Sequence, residues 1–319
     1  MSKAFGGVSG VMGDVIVLLA SSNPLDHVVD KPLPGGLSMN AVTMVIVAGL
    51  LVLTLKLAAD AIATGPESQG NERYMTKGKF GQMVEVIVLY MRDNIIKPQL
   101  GDDTNKFLPY LLTLFFFILY NNLLGLVPLT DIQHLAGSLL GLHFSTWIGG
   151  TATANIAITA ALAIIAFIVI QVSGLRSNGL GGWAKHFLGG APVYLAPIMV
   201  PVEIMGMFIK PFALAIRLFA NMTAGHTLLA TLLMFTLLAF QGLGPAGGIP
   251  VTIGAALAMV PLMFLELFVA FLQAFIFMFL TTVFIAQLRH HEHHDHEPAE
   301  AYTGGEHSAV EDLAVPVTA

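Results

Sequence analysis

Residues 192–240 and 251–288 form two apolar runs of 49 and 38 residues that share only four Asp, Glu, Lys or Arg side chains. A helix needs about 20 such residues, at about 1.5 Å rise each, to cross a hydrocarbon core about 30 Å thick. Both runs are far longer than a perpendicular span requires. A charge-poor helix of that length must lie steeply tilted in the bilayer or break. Apolar residues make up 55% of the 319 and charged ones 11%, against roughly 25% charged in a soluble domain. The solvent of this fold is therefore lipid.

Three further segments at 40–59, 107–128 and 151–173 also read as apolar spans at about a 20-residue window. The predicted fold class is an all-α integral membrane protein with about five membrane segments, the last two forming a long, strongly tilted helical hairpin. Gly242, Gly244, Pro245, Gly247, Gly248 and Pro250 mark the turn of that hairpin. Residues 1–39 read as an extracytoplasmic N-terminal segment, 40–288 as the membrane domain with its hairpin at 192–288, and 289–319 as a disordered tail rich in His and acids. The opening MSKAFGGVSGVMGDVIVLLASS faintly resembles a signal peptide, but Asp14 and the glycines interrupt its apolar stretch. An interfacial segment is the plainer reading.

With no cysteine, the chain has no disulfide, thiolate metal site or thiol nucleophile. The net charge of −6 is unevenly spread, because residues 290–319 hold seven acids and no Lys or Arg, leaving +1 on the rest. That balance argues against a nucleic-acid partner. Nine basic residues fall in the connections 60–106 and 174–191 or directly after the last run, at Arg289. Only Lys3 and Lys31 precede the first span, and the loops 129–150 and 241–250 hold none. By the positive-inside rule the N-terminus is outside and the tail is cytoplasmic. Within the first connection, Phe80, Met83, Val84, Ile87, Val88, Met91 and Ile95 recur at helical spacing, opposite Gln82, Glu85, Arg92 and Asp93. Residues 80–97 are predicted to form an amphipathic helix on the cytoplasmic leaflet.

The four charges inside the hairpin are Glu203, Lys210, Arg217 and Glu266. A charged side chain at bilayer depth is costly, so each is a functional candidate before it is a packing one. Gly206, Lys210, Ala213, Arg217, Ala220, Asn221 and Ala224 step by three and four and share one helix face. Small residues let a second helix approach closely in lipid, and Arg217 stands in the middle of the stripe. Phe208, Phe212, Phe219, Met222 and His226 form a bulkier face expected to pack within the subunit. Glu266 and Gln273, seven apart, share a face of the second helix. Antiparallel pairing puts Glu266 near the level of His226 and Gln273 near Arg217. An imidazole and a carboxylate at one depth form a candidate proton relay; a satisfied buried pair is the alternative.

KPFALAIRLFANMTAGH (210–226) and LQAFIFMFLT (272–281) together resemble subunit a of the F-type ATP synthase, the membrane stator that faces the rotating c-ring. NNLLGLVP (121–128) and TATANIAITAAL (151–162) extend the resemblance over most of residues 80–288. In that family the first helix carries an essential arginine, which matches Arg217; its Asn four residues on matches Asn221, and the Gln of LQAF matches Gln273. Many members place Glu where this chain has His226 and His where it has Glu266, so here the pair is exchanged.

The resemblance implies a multi-pass protein of the bacterial inner membrane that partners c-ring subunits, the peripheral stalk subunit b and the rest of the synthase. It implies two offset proton half-channels, no catalytic site in this chain, and no cofactor or metal. His226, Glu266 and Asn155 are expected to line the outer path, and Glu203 and Lys210 to border the inner exit. Gly206, Ala213, Ala220 and Ala224 are expected to face the rotor. Two other classes remain on the residues alone. A secondary transporter predicts inverted repeats, which the two halves do not display; a purely structural anchor leaves Arg217 without a purpose. The tail segment RHHEHHDHE (289–297), with five histidines, invites metal binding, but a solvated extension is the simpler reading.

Overall fold

The computed structural model describes residues 38–62, 76, 78–127, 152–187 and 193–289. The signal-like N-terminal segment, the loop 129–150 and the His-rich tail lie outside the described residues. Helix α1 is Met39–Ile62. Helix α2, Lys79–Tyr90, passes through a π-helical turn, Met91–Ile96, into the short α3, Lys97–Leu100. A 3-10 turn at Gly101–Asp103 then leads to α4, Thr104–Leu126. Another 3-10 turn, Ala152–Ala154, precedes α5, Ile156–His186. A third, Val193–Leu195, opens into α6, Ala196–Arg289. Helices dominate because lipid offers backbone N–H and C=O groups no outside partner, and a helix satisfies them internally.

Among the described residues, four stretches are long and apolar enough to cross a membrane: Met39–Ala61, Lys79–Leu126, Ile156–Trp183 and Ala196–Arg289. The fourth, of 94 residues, carries both of the last two expected segments. Its one non-helical residue is Gly244, at φ 65 and ψ −169, a backbone region essentially reserved for glycine. The turn is therefore far tighter than the expected 241–250. Pro245 directly after Gly244 falls where a starting helix needs no N–H, so the Gly/Pro-rich stretch is absorbed into helix. The chain folds back at once, and the close approach is filled by glycine: a Cβ at Gly248 would strike the Phe240 ring, and one at Gly247 the Leu243 side chain.

The arms on either side of Gly244 run antiparallel. Moving away from the turn, Glu266 meets Gly225, Gln273 bonds Asn221, and the Phe284 ring meets Lys210. Helices α4 and α5 pack along α6. Leu111, Phe115 and Ile118 of α4 meet Ala163, Ala166 and Ile170 of α5 and Leu214, Leu218, Ala274, Phe277 and Ile285 of α6 in one buried cluster. The alanines and Gly174, which sits against Leu288, bring the helices close.

The amphipathic stretch is helical through α2 and the π-helical turn. Val84 and Met91 point inward, whereas Phe80 and Met83 are exposed. The π-helical turn adds a residue to the winding and shifts the phase, so Ile96 and Leu100 are buried in continuation of Met91. At the Arg289 end, the guanidinium forms an ion pair with Asp103, donates to Ser173 Oγ at 3.3 Å and lies over the Phe107 ring at 5.3 Å. Asn178 Nδ2 donates to the Leu288 carbonyl at 2.7 Å, satisfying one of the last carbonyls of α6.

Candidate functional site

The first arm of α6 presents two unlike faces. Leu214, Ala215, Leu218 and Met222 are buried against the rest of the protein. Turned away from them, Lys210, Ala213, Arg217, Ala220 and Ala224 are exposed. Gly206 belongs to the same stripe, with nothing within 4 Å of a Cβ built on it. The bulky face read from the sequence is a correction: Phe208 and Phe212 are 58% and 65% exposed, Phe219 and His226 are half-buried, and only Met222 is fully enclosed. Lipid is as apolar as a protein core, so aromatic side chains gain nothing by turning inward.

Arg217 has no hydrogen-bond or ion-pair partner among the described residues. Ala213 and Ala220, beside it on the stripe, neither screen it nor compete for its five donors. One turn further on, half-buried Asn221 rotates toward the second arm and donates through Nδ2 to Gln273 Oε1 at 2.9 Å. Gln273 is 2% exposed, and its Nε2 finds no acceptor among the described residues. The arginine face and the arm–arm seam thus touch through an amide pair that still has donor capacity to spare.

Glu266 is half-buried and its carboxyl lies directly on Gly225, where a Cβ would overlap it. His226 is the next residue, also half-buried, so the expected common level of the two is what the structure has. Glu266 Oε2 is enclosed without a partner among the described residues. At the opposite end of the seam, the Lys210 ammonium sits over the Phe284 ring at 5.0 Å, a cation–π contact between the arms. Glu203 is half-buried two turns before it. Asn155 caps α5, accepting the Ala157 N–H at 2.9 Å through Oδ1, and so has a structural task whatever else it does.

Several polar residues near this seam were not singled out from the sequence. Asn122, fully buried on α4, donates to the Ala270 carbonyl at 3.2 Å, one turn from Glu266, and accepts from Thr153 Oγ1 at 2.9 Å. Two adjacent asparagines in an otherwise unbroken apolar run were the available signal. Among the described residues no group of three or more His, Asp and Glu side chains could hold a metal ion.

Residues 39–286 match the sequence model of the family described as ATP synthase A chain. The chain is 41% identical over 234 residues to ATP synthase subunit a of Myxococcus xanthus (strain DK1622), covering 72% of this chain and 69% of that relative. It is 42% identical over 222 residues to ATP synthase subunit a of Anaeromyxobacter dehalogenans (strain 2CP-1 / ATCC BAA-258), covering 68% of this chain and 51% of the relative. Against ATP synthase subunit a of Chloroherpeton thalassium (strain ATCC 35110 / GB-78) the identity is 41% over 233 residues, 72% of this chain and 62% of the relative. The chain thus spans between about half and 69% of the length of these curated relatives.

Proposed function

The chain belongs to the ATP synthase A chain family, and from that premise we propose that it is the membrane stator of an F-type ATP synthase. In this reading it conducts protons to and from a rotating ring of c subunits, through two offset half-channels that never join. The α6 arms form a hairpin lying obliquely in the bilayer, with α2 along the cytoplasmic surface, the Gly244 turn near the outer face and the Arg289 end cytoplasmic. Subunit b and the remaining synthase subunits hold the stator still, and the ATP chemistry takes place elsewhere in the complex.

Arg217 carries the reading. An exposed guanidinium on a stripe of small residues, without a hydrogen-bond or ion-pair partner among the described residues, is costly in lipid unless a partner brings the opposite charge. A rotor carboxylate passing Arg217 is favoured in its ionised form by the fixed cation, so it gives up its proton to the inner exit, beside Lys210 and Glu203. Arg217 is never deprotonated and cannot itself relay protons; it also repels them, which closes a direct leak between the two paths. Past the arginine, the carboxylate is reprotonated from the outer path through Glu266 and His226, with Asn155 beside that path. The Asn221–Gln273 pair holds the two arms in register at the level of the exchange.

The decisive experiment substitutes Arg217→Ala in the assembled complex. Proton-driven ATP synthesis and ATP-driven proton pumping are expected to vanish while the complex still assembles. Retained synthesis overturns the reading.

A further inference from the structure

The half of the α6 hairpin nearer its turn is thinly held. From Thr223 to Val269 only Thr236 and Gly248 are buried. Helix α4 meets the second arm at Asn122, which donates to the Ala270 carbonyl at 3.2 Å. Closer to the hairpin turn, the two helices part around a cavity of about 410 Å³. Leu123 and Val127 belong to one wall and Val260, Met263, Phe264 and Leu267 to the other, and every side chain lining it is apolar. Leu123 is half-buried and the other five are exposed, so the cavity is a groove open to the outside. It is separate from the seam between the arms. Met263 and Leu267 step by four along one line of the helix, whereas Glu266 lies against Gly225 of the first arm.

Water does not fill such a space, because an apolar cavity stays dry, and an empty one forfeits dispersion contacts along its whole lining. The open side continues into Leu257 and Phe268, exposed apolar neighbours of Phe264 on the same arm, and so into the face that the bilayer solvates. Size then selects among apolar occupants. Val260 to Leu267 span about 10 Å at about 1.5 Å per residue, and over that length a helix about 10 Å across takes up roughly 800 Å³. That is about twice the cavity, so a helix would cap the groove without entering it, whereas a single hydrocarbon chain enters. Charge narrows the choice further. Helix α4 from Phe107 on holds no charged residue, the second arm as far as Leu288 holds only Glu266, and the loops 129–150 and 241–250 hold no Lys or Arg. Nothing there draws an acidic headgroup. We propose that the groove holds one tail of a phospholipid whose headgroup has no net charge. The tail wedges between α4 and the second arm and braces the stretch that carries Glu266. Such a wedge stands whether or not protons follow the proposed route.

The assembled complex is reconstituted in phosphatidylcholine vesicles in which part of the lipid carries a diazirine midway along one tail. It is then extracted in detergent, washed free of loose lipid and irradiated, and the adducts are mapped by peptide mass spectrometry. Adducts are expected at residues 123–127 and 260–267, several-fold above those around Val45 and Val52, which are exposed on α1 away from the groove. Met263→Trp puts an indole where the tail lies, and is expected to lower the groove adducts several-fold while leaving those on α1 unchanged. If that variant does not assemble, Val260→Phe at the exposed rim takes its place with the same expected loss. Adducts spread evenly over α1 and the groove mean an unselective lipid coat and overturn the proposal, as do groove adducts undiminished by the filling side chain. Unlabelled phosphatidylglycerol is expected to compete no better than unlabelled phosphatidylcholine; a several-fold advantage overturns recognition through the tail. Capture of another subunit by a benzophenone on Met263→Cys would assign the groove to protein and likewise overturn it.

Discussion

Gly225 leaves no room for a side chain, because the Glu266 carboxyl occupies the space a Cβ would take. In Gly225→Ala the neighbour that gives way is the flexible end of Glu266, so the change displaces that carboxyl at little cost in stability. Proton-driven ATP synthesis is expected to fall several-fold in an assembled Gly225→Ala complex; an unchanged rate would show that the placement of Glu266 does not govern proton delivery. Arg217, Glu266 and Gln273 were legible in the sequence because charges and an amide in apolar runs stand out, and helix phase tells which of them share a face. Gly225 was not, since a glycine between Ala224 and His226 announces nothing until the opposite arm is in place. Asn122 and Thr153 were missed for a related reason. Their partners lie on elements far apart in sequence, and no periodicity links the two residues.

At the scale of elements, two overlong apolar runs announced a fold-back, and the glycines and prolines announced its location. The length of the turn was hidden, because a Pro just after a left-handed Gly continues a helix as readily as it ends one. Gly244 is the only residue of α6 outside helical geometry, and Gly244→Ala is expected to cost about 1–3 kcal/mol by forcing an L side chain into that region. The thermal inactivation midpoint of the detergent-solubilised complex should drop, whereas substitution at Gly242, helical and with open space around a built Cβ, should leave it nearly unchanged. The clasp at the other end of α6 was invisible for a different reason: Arg289 served the sequence reading only as a topological charge. Its side chain is 13% exposed and that of Asp103 39%, so this ion pair is partly shielded from water. Removing one partner of a fully buried pair costs about 3–5 kcal/mol, and the exposure of Asp103 pulls the figure toward a smaller value. Arg289→Gln is expected to lower the inactivation midpoint, and the Asp103→Arg, Arg289→Asp exchange to recover part of it. A midpoint that does not move in Arg289→Gln would mean that Ser173 and Phe107 hold the helix end without the charge.

Taken whole, the described residues expose large apolar side chains on α1, α5 and α6, among them Val52, Ile164 and Phe264. Apolarity therefore cannot tell which side meets a partner and which meets lipid. The distinguishing property is side-chain size. A lipid-facing surface gains from bulky residues that mingle with acyl chains, whereas a surface that another helix slides past must be low. Gly206, Ala213, Ala220 and Ala224 make the Arg217 face the low one, and in the proposed stator reading its guanidinium gives an acidic rotor a reason to be there. This assignment can be read directly by photocrosslinking, using the cysteine-free background. A benzophenone tethered to Ala220→Cys in the assembled complex is expected to capture the ring subunit. The same probe at Val52→Cys, also exposed but on α1, is expected not to. Capture of the ring from Val52 and not from Ala220 would place the rotor on the other side of the molecule and remove the electrostatic role from Arg217.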